Sequence, residues 1–300
     1  MRRWACLEIR CGAEAADELA AVIAEAFGVS VEVLAEGIRL YLREELFFEE
    51  GRQKLDGILS SLKLPAPEQA ASSRYVLSTL EEEDWLRKWK HDFRSLRVGK
   101  HLIIAPTWEE HQPNPGDRII HVDPGQAFGT GHHETTRLCL EWLEVWAESR
   151  TKGSLKSLLD VGTGTGILAI AAAMLGFAPI LALDNDPEAV PVARGNLELN
   201  GVSDKIDLYL GSAGEIEGDY GVVLANIQAL PLIEMAPLLE PRLEASGRLV
   251  LSGILVEQAA MITRAYEAQG LKLGSRKVAG EWCLLEFARA KGGQESCHVR

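Results

Sequence analysis

Three glycines at alternate positions separate two apolar segments of the chain, in the run DVGTGTG (residues 160–166). The segment before them predicts a buried strand (157–161), and the Ala- and Leu-rich segment after them predicts a buried helix (167–175). Glycines at such a turn let the backbone approach a ligand closely. The next predicted strand ends at Asp184, 22 residues after Gly162, where a carboxylate can bind ribose hydroxyls. The spacing therefore predicts a nucleotide-type ligand at the end of a parallel sheet.

The order of the glycines narrows the choice of ligand. A dinucleotide-binding fingerprint, G-x-G-x-x-G, would need its third glycine where this chain has Ile167. The observed order, an acid two residues before G-x-G-x-G, resembles the first motif of S-adenosylmethionine (SAM) dependent methyltransferases. This resemblance implies SAM as the cofactor. A dehydrogenase and a glycine-rich loop that binds no ligand are the alternatives.

Composition and charge indicate a folded protein with an acidic surface. The 300 residues predict two domains, and 47% hydrophobic with 25% charged residues is typical of a globular core. The formal net charge of -13 argues against direct binding of DNA or RNA and favours a small molecule or a basic protein partner. The five cysteines form no C-x-x-C pair, which predicts free thiols in a reducing cytosol and neither a disulfide framework nor a zinc site.

The location of the protein follows from two further segments. No apolar stretch follows the first three residues, so we expect no signal peptide. The charge-free stretch between Asp160 and Asp184 is long enough to suggest a membrane span. Gly176 and Pro179 interrupt it, and two buried elements of a parallel sheet explain it better. We expect a soluble, cytoplasmic monomer.

The first eighty residues predict a small separate domain. The expected elements are strand 4–10, helix 13–27, strands 29–35 and 37–43, a helix from about 49 to 64, and strand 74–80. This β-α-β-β-α-β order is the ferredoxin-like α+β pattern, which assigns no role by itself because it serves both protein and RNA recognition. Residues 1–73 hold eight Lys and Arg against thirteen Asp and Glu, which favours a basic protein partner over ribosomal RNA.

The remaining chain predicts a linker and a larger α/β domain. An amphipathic helix at 81–93, inside a linker at 79–97, carries Trp85 and Trp89 on one face as a packing seam or, alternatively, a binding surface. Strands within 96–106 and at 119–123 then lead into a Rossmann-like domain (98–290). Besides 157–161 and 179–183, its strands are expected at 206–210, 221–225, 248–251, 271–278 and 282–288, with helices at 187–200, 230–239 and 256–269 between them. Residues 291–300 are expected to be a disordered tail.

A second motif identifies a family. The segment DPGQAFGTGHHETT (123–136) resembles the signature D-P-G-x-A-F-G-T-G-x-H-x-T-T of the ribosomal protein L11 methyltransferases. The segments LANI (224–227), LSGIL (251–255) and EWC (281–283) extend the resemblance over about residues 85–288. Glu134 stands where the family usually has proline, and His132 where it often has threonine. Glu134 is expected to stiffen this loop less than proline would.

The resemblance implies roles for individual residues. Phe128 would lie against the cofactor, and Thr136, at the start of a helix, would hydrogen-bond its methionine end. Gly162 would give a backbone contact under the same end, with Gly164 of the same loop also binding cofactor, and Asp184 would bind the ribose hydroxyls. Taken without the resemblance, Asp184 could be a strand-end cap, Thr136 a helix N-cap and Phe128 a core residue.

The resemblance also places Asn226 beside the methyl group. Other amino-group methyltransferases carry Asn-Pro-Pro-Tyr there, whereas Asn226 is followed by Ile227 and Gln228. Without the prolines and the aromatic ring that stacks a flipped base, a protein amine is favoured over a nucleobase. His132 and His133 are interpreted as loop histidines, since no second cluster of metal ligands accompanies them, and no metal is expected.

Methyl transfer to an amine mainly requires alignment, because the leaving group needs no proton. The amine is the obstacle, since a lysine has a pKa of about 10.4 and an α-amine about 8, so both are mostly protonated at neutral pH. An apolar mouth and the nearby sulfonium would favour the neutral amine. Our hypothesis is that the carbonyl of Asn226 orients this amine and that no residue acts as a dedicated base.

The family resemblance implies a function and a partner. The chain would transfer methyl groups from SAM to lysine side chains, the N-terminal α-amine, or both, of ribosomal protein L11, with residues 1–78 as the substrate-recognition domain. A methyltransferase that acts on another protein or a small molecule remains an alternative, as does a non-catalytic SAM-binding scaffold. A nucleic-acid methyltransferase would be expected to show a basic patch and the Asn-Pro-Pro-aromatic motif, which this sequence lacks.

Overall fold

A computed structural model describes most of the chain. The described residues are 3–27, 29, 31–34, 37–61, 75–81, 94–109, 111–123, 131–150 and 156–289. Three predicted features lie outside them: the helix at 81–93 with its two tryptophans (all but its first residue), Phe128, and the tail at 291–300. The contacts divide the chain into two compact units, residues 1–93 and 94–300.

The first unit has the predicted β-α-β-β-α-β order. Its strands are β1 (Arg3–Arg10), β2 (Val31–Leu34), β3 (Gly37–Arg43) and β4 (Tyr75–Glu81). Its helices are α1 (Ala13–Phe27), α2 (Glu44–Leu46) and α3 (Arg52–Ser61), with a π turn (Phe47–Gly51) between the last two. The sheet order β2-β3-β1-β4, antiparallel throughout, confirms the ferredoxin-like pattern. Buried side chains such as Leu7, Ile23 and Leu40 give this unit its own core.

The second helical segment of this unit begins earlier than predicted. It starts at Glu44, not at about residue 49, and it includes the π turn. A π turn holds one more residue than an α turn, so it changes which side chain faces the core. Phe47 is therefore fully buried with Leu55 and Leu59, while Phe48 is 53% exposed.

Three short strands open the second unit. They are β5 (Leu96–Val98), β6 (Leu102–Pro106) and β7 (Arg118–Val122). The predicted strand segment 96–106 is thus two antiparallel strands joined by a turn at Gly99, whose φ of 63° suits glycine. Strand β7 pairs in parallel with β6.

The main sheet of the second unit has seven strands, as predicted. They are β8 (Leu158–Val161), β9 (Ile180–Asp184), β10 (Ile206–Leu210), β11 (Tyr220–Asn226), β12 (Leu243–Leu255), β13 (Leu271–Ala279) and β14 (Trp282–Arg289). Their order is β10-β9-β8-β11-β12-β14-β13. The first five are parallel, and β14 is antiparallel to both β12 and β13. The carboxyl ends of the parallel strands therefore lie along one edge of the sheet.

Helices cover both faces of this sheet. They are α4 (Glu134–Glu148), α5 (Ile167–Leu175), α6 (Ala189–Leu199), α7 (Ala229–Leu239) and α8 (Ala259–Glu267), with 3-10 turns at Glu240–Arg242 and Val256–Gln258. Successive strand residues point to opposite faces, so Leu158 packs in the core with α4 and α5 while Leu159 packs in the core with α7 and α8. All four residues of β8 are buried for this reason. In the described part of the chain, no helix has the length and apolar character needed to cross a membrane.

Candidate cofactor and active site

The glycine loop joins the carboxyl end of β8 to α5. Gly162, Gly164 and Gly166 have φ values of 71°, 56° and 81°, a region that L side chains rarely adopt. The amide of Gly162 donates to the carbonyl of Leu183 in β9 at 2.9 Å. A Cβ added to Gly162 would lie 2.6 Å from Cγ2 of Ile227, so the backbone passes close to the end of β11. The glycines thus allow a turn that no other residue type fits well.

Asp184 ends β9 and holds the glycine loop. Its Oδ2 accepts from the amide of Gly164 at 2.8 Å, and its Oδ1 accepts from the amide of Asp186 at 3.0 Å. The side chain is mostly buried, with 8% of the residue exposed. Asp184 therefore caps the backbone, as one of the two sequence interpretations expected, and it also faces the cavity described next.

A cavity of about 650 Å³ opens at the carboxyl ends of the parallel strands. Gly162, Gly164, Asp184 and Asn226 all line it, so four of the six predicted cofactor-binding residues lie around one space. Its remaining lining residues come from the ends of neighbouring elements: His133, Thr135, Val161, Leu183, Asn185, Asp186, Ala189, Gly211, Ser212, Ala213, Ile227, Gln228, Pro231, Met235, Gly253 and Trp282. The cavity is mostly apolar, with polar groups at a few points.

Asn226 lines this cavity and hydrogen-bonds to Thr136, which lies behind the lining and is fully buried. Nδ2 of Asn226 donates to Oγ1 of Thr136 at 3.3 Å, and the two residues are 7% and 0% exposed. Oδ1 of Asn226 is buried and has no hydrogen-bond partner among the residues that the structure describes. An orphaned buried acceptor is costly unless a ligand satisfies it. Asn226 thus has one side-chain atom anchored to Thr136 and one that lacks a partner.

The N-cap of α4 is His133, not Thr136. Nδ1 of His133 accepts from the amide of Thr135 at 3.4 Å, and it lies 2.8 Å from Oγ1 of the same residue. Thr136 is the third residue of the helix, and its side chain contacts Asn226. The His133 ring packs edge-on against Trp282, with centroids 4.8 Å apart. Nε2 of His132 lies 3.0 Å from the carbonyl oxygen of Arg94.

Asp160 is a buried carboxyl group beneath the loop. Burial raises its pKa to about 7, although the hydroxyl of Thr163, which donates to Oδ2 at 2.7 Å, acts in the opposite direction. The charge of Asp184 raises the pKa further. The first acid of the motif is therefore a structural residue, while the second acid faces the cavity.

Several lining residues had no signal in the sequence that would single them out. Asn185, Ser212 and Ala213 follow strand ends, and only the strand order brings them to the cavity. Gly253 has a φ of 82°, and a Cβ there would collide with the Ile227 backbone. Pro231 and Met235 lie on α7 four residues apart, at the helical spacing that faces one side.

Comparisons with known proteins agree with this geometry. The family model described as ribosomal protein L11 methyltransferase (PrmA) matches residues 3–290. The ribosomal protein L11 methyltransferase of Pelobacter propionicus is 39% identical over 96% of this chain and 98% of its own length. That of Geobacter metallireducens is 43% identical over 83% of this chain and 80% of its own length.

A solved structure gives the same result. The crystal structure of ribosomal protein L11 methylase from Lactobacillus delbrueckii subsp. bulgaricus superposes with a TM-score of 0.60 at 34% identity. The superposition covers 66% of this chain and 100% of the Lactobacillus chain. The match over nearly the whole sequence shows that this chain belongs to the ribosomal protein L11 methyltransferase family and is a SAM-dependent methyltransferase.

Proposed function

We propose that this chain transfers methyl groups from SAM to amino groups of ribosomal protein L11, on lysine side chains, the α-amine, or both. The observation that carries the proposal is that the glycine loop, Asp184 and Asn226 line the same cavity, in a chain of this family. One part of such a cavity can hold the cofactor while another admits the target amine.

The chain's own residues suit SAM. Ligand cavities commonly have volumes of roughly 300–1,000 Å³, and this one has about 650 Å³. Gly162 and Gly164 present backbone without a side chain in the way. The Asp184 carboxylate accepts two amides and has about four lone-pair sites, so it can also accept from ribose hydroxyls. Thr136, bonded to Asn226, is proposed to contact the methionine end, and Phe128 stays a prediction from the signature.

When bound, SAM supplies a methyl group on a sulfonium sulfur. The task of the protein is then to present a neutral amine in line with that methyl group. In this proposal Oδ1 of Asn226, which has no partner, accepts an N–H of the amine while Thr136 holds the Nδ2 end of the same side chain. The apolar side chains of Ile227 and Met235 line the same cavity and would lower the pKa of an entering amine. With orientation and desolvation by these residues, we expect that no residue acts as a dedicated base.

Residues 1–78 are proposed as the substrate-recognition domain, joined by a linker at 79–97 to the catalytic domain at 98–290. An acidic composition suits a basic target, and the separate core of this unit suits a domain with its own role. A chain that lacks residues 1–78 should bind SAM with unchanged Kd and fail to methylate L11. If the truncated chain methylated L11 at the full rate, residues 1–78 would have no part in recognition.

The experiment that tests the function uses L11 purified from a strain without its methyltransferase. The full chain and SAM are incubated with this L11, and the mass of the product is measured by mass spectrometry. We expect L11 to gain whole methyl groups, with peptide fragmentation assigning them to amines. Unmodified L11, together with measured SAM binding, would mean that the enzyme acts on another substrate.

A further inference from the structure

Two asparagine side chains complete the outer edge of β7. One edge of β7 pairs with β6, its only partner among the described strands, and the two asparagines bond to the opposite edge. The amide of His121 donates to Oδ1 of Asn200 at 2.8 Å, and its carbonyl accepts from Nδ2 at 2.7 Å. The amide of Asp123 donates to Oδ1 of Asn196 at 2.9 Å. Asn196 lies in α6 and Asn200, four residues later, is the C-cap of the same helix, so the two side chains match the two-residue period of the strand edge.

Asn196 makes a second bond that Asn200 does not make. Its Nδ2 donates to the carbonyl of Thr165, in the glycine loop, at 2.9 Å. Nδ2 of Asn200 bonds instead to His121 and to the Asn196 carbonyl of its own helix. With 1% of its surface exposed, Asn196 is one of the few buried polar residues of this unit. One planar amide therefore joins Asp123 to the glycine loop.

The same helix also packs directly on the loop. A Cβ added to Gly166 would lie 3.4 Å from Cβ of Ala193 and 3.0 Å from Cδ1 of Leu197. This close approach leaves little room for the loop to shift on α6. Asp123 is the first residue of the signature at 123–136, so α6 contacts both sequence motifs of the site.

We propose that Asn196 is a positioning residue for cofactor binding, which sets the glycine loop relative to the first residue of the signature. The proposal rests on the proposed function and deepens it, since the loop and the signature are the two motifs assigned to SAM. Both bonds belong to a single amide group, so a displacement of the loop is transmitted to Asp123. Asn200 holds β7 in the same way without contact to the loop, and it is the matched control.

The test compares Asn196→Ala with Asn200→Ala. Each variant leaves an amide of the β7 edge without its acceptor, so both should lower the Tm by a similar amount. Only Asn196→Ala should weaken SAM, by about tenfold in the Kd measured by calorimetry, because only it releases the loop. The KM for SAM should rise more than kcat falls. Equal Kd values for the two variants would overturn the proposal, because Asn196 would then be a stability residue only.

A second measurement uses the unmodified protein and holds even if a variant does not fold. Amide hydrogen exchange is followed with and without saturating SAM. The amide of Asp123, bonded to Asn196, should exchange more slowly when SAM is bound, and the amide of His121, bonded to Asn200, should change less. Equal changes at both amides would overturn the proposal. The Kd and the amide exchange do not involve L11, so a failure of methyl transfer leaves both results interpretable, whereas a protein that binds no SAM would overturn the proposed function itself.

Discussion

The carboxylate of Asp184 at the end of β9 accepts the amide of Gly164, in the loop that follows β8, at 2.8 Å. This bond crosses between neighbouring strand ends, and the second oxygen of the carboxylate holds the amide of Asp186. The residue proposed to recognise the ribose thus also determines the shape of the loop that receives the cofactor. Loss of Asp184 should affect both functions together.

Asp184→Ala should raise the Kd for SAM by about 100-fold, because two amides lose their acceptor and the ribose hydroxyls lose theirs. The contribution of the hydroxyls is separated with S-adenosylhomocysteine and its 2′-deoxy analogue. The unmodified protein should prefer the hydroxylated ligand, and the variant should bind both alike. A preference that persists in the variant would place ribose recognition elsewhere.

Gly162→Ala should weaken SAM binding, since its Cβ would lie 2.6 Å from the Ile227 side chain and its φ is 71°. Gly201→Ala is the matched control, with a φ of 63° and no atom within 4 Å of the added Cβ. Left-handed backbone costs an alanine about 1 kcal/mol, so both variants should lose that stability or somewhat more. Calorimetry should show a higher Kd for Gly162→Ala alone. Equal Kd values would mean that the loop approaches no ligand.

Asn226→Ala should lower kcat for L11 by about 100-fold, a loss comparable to the removal of one preorganised polar group. Thr136→Val keeps the shape of the side chain but removes the hydroxyl that anchors Nδ2 of Asn226. It should lower kcat by a smaller factor, because the amide remains but is less well oriented. Full turnover by Asn226→Ala at saturating substrate would show that this residue does not orient the amine.

Asp160 should make stability depend on pH. Burial raises its pKa to about 7 in the folded protein, whereas the unfolded chain loses the proton near pH 4. Between these values the folded state binds more protons than the unfolded state, so the contribution to stability is complete below about pH 4 and falls as the pH rises towards 7. The difference in unfolding free energy between the unmodified protein and Asp160→Asn isolates this contribution. As the pH rises from about 4 to about 7, the unmodified protein should lose stability relative to Asp160→Asn. A difference in unfolding free energy that stays constant over this range would contradict the raised pKa.

Thr163→Val provides an independent check of the same group. Its hydroxyl donates to Asp160 and opposes the rise in pKa. Removal of the hydroxyl should therefore extend the loss of stability to higher pH. A window that moves to lower pH would mean that the hydroxyl favours the protonated form.

The sequence predicted the elements that have strong apolar patterns. The strand β8, the loop glycines and the strand that ends at Asp184 lie where expected. An apolar run defines each strand, and the glycines mark the turn after β8. The predicted strand at 248–251 is longer in the structure, Leu243–Leu255, since Gly247 on one side and Ser252 and Gly253 on the other interrupt the apolar run. In the first unit, apolar spacing could not choose between Phe47 and Phe48, because a π turn decides which of them is buried.

The site was predictable only where a motif identified it. Gly162, Gly164, Asp184 and Asn226 lie on the cavity, whereas Asn196 carries no motif, and its role depends on bonds to segments 31 and 73 residues distant. His133 caps α4 through a ring nitrogen, whereas threonine is the commoner N-cap residue and Thr136 was the residue expected in that role. Contacts between distant segments of this kind depend on the strand order, which a single sequence does not state.

The most direct measurement offers the enzyme all ribosomal proteins extracted from a strain that lacks its methyltransferase, together with SAM that carries a labelled methyl group. We expect label in L11 alone, incorporated about 100-fold more slowly by Asn226→Ala at a SAM concentration that saturates this variant. Label in a different protein would contradict L11 as the target. An absence of label, with SAM binding intact, would contradict transfer to any of these proteins.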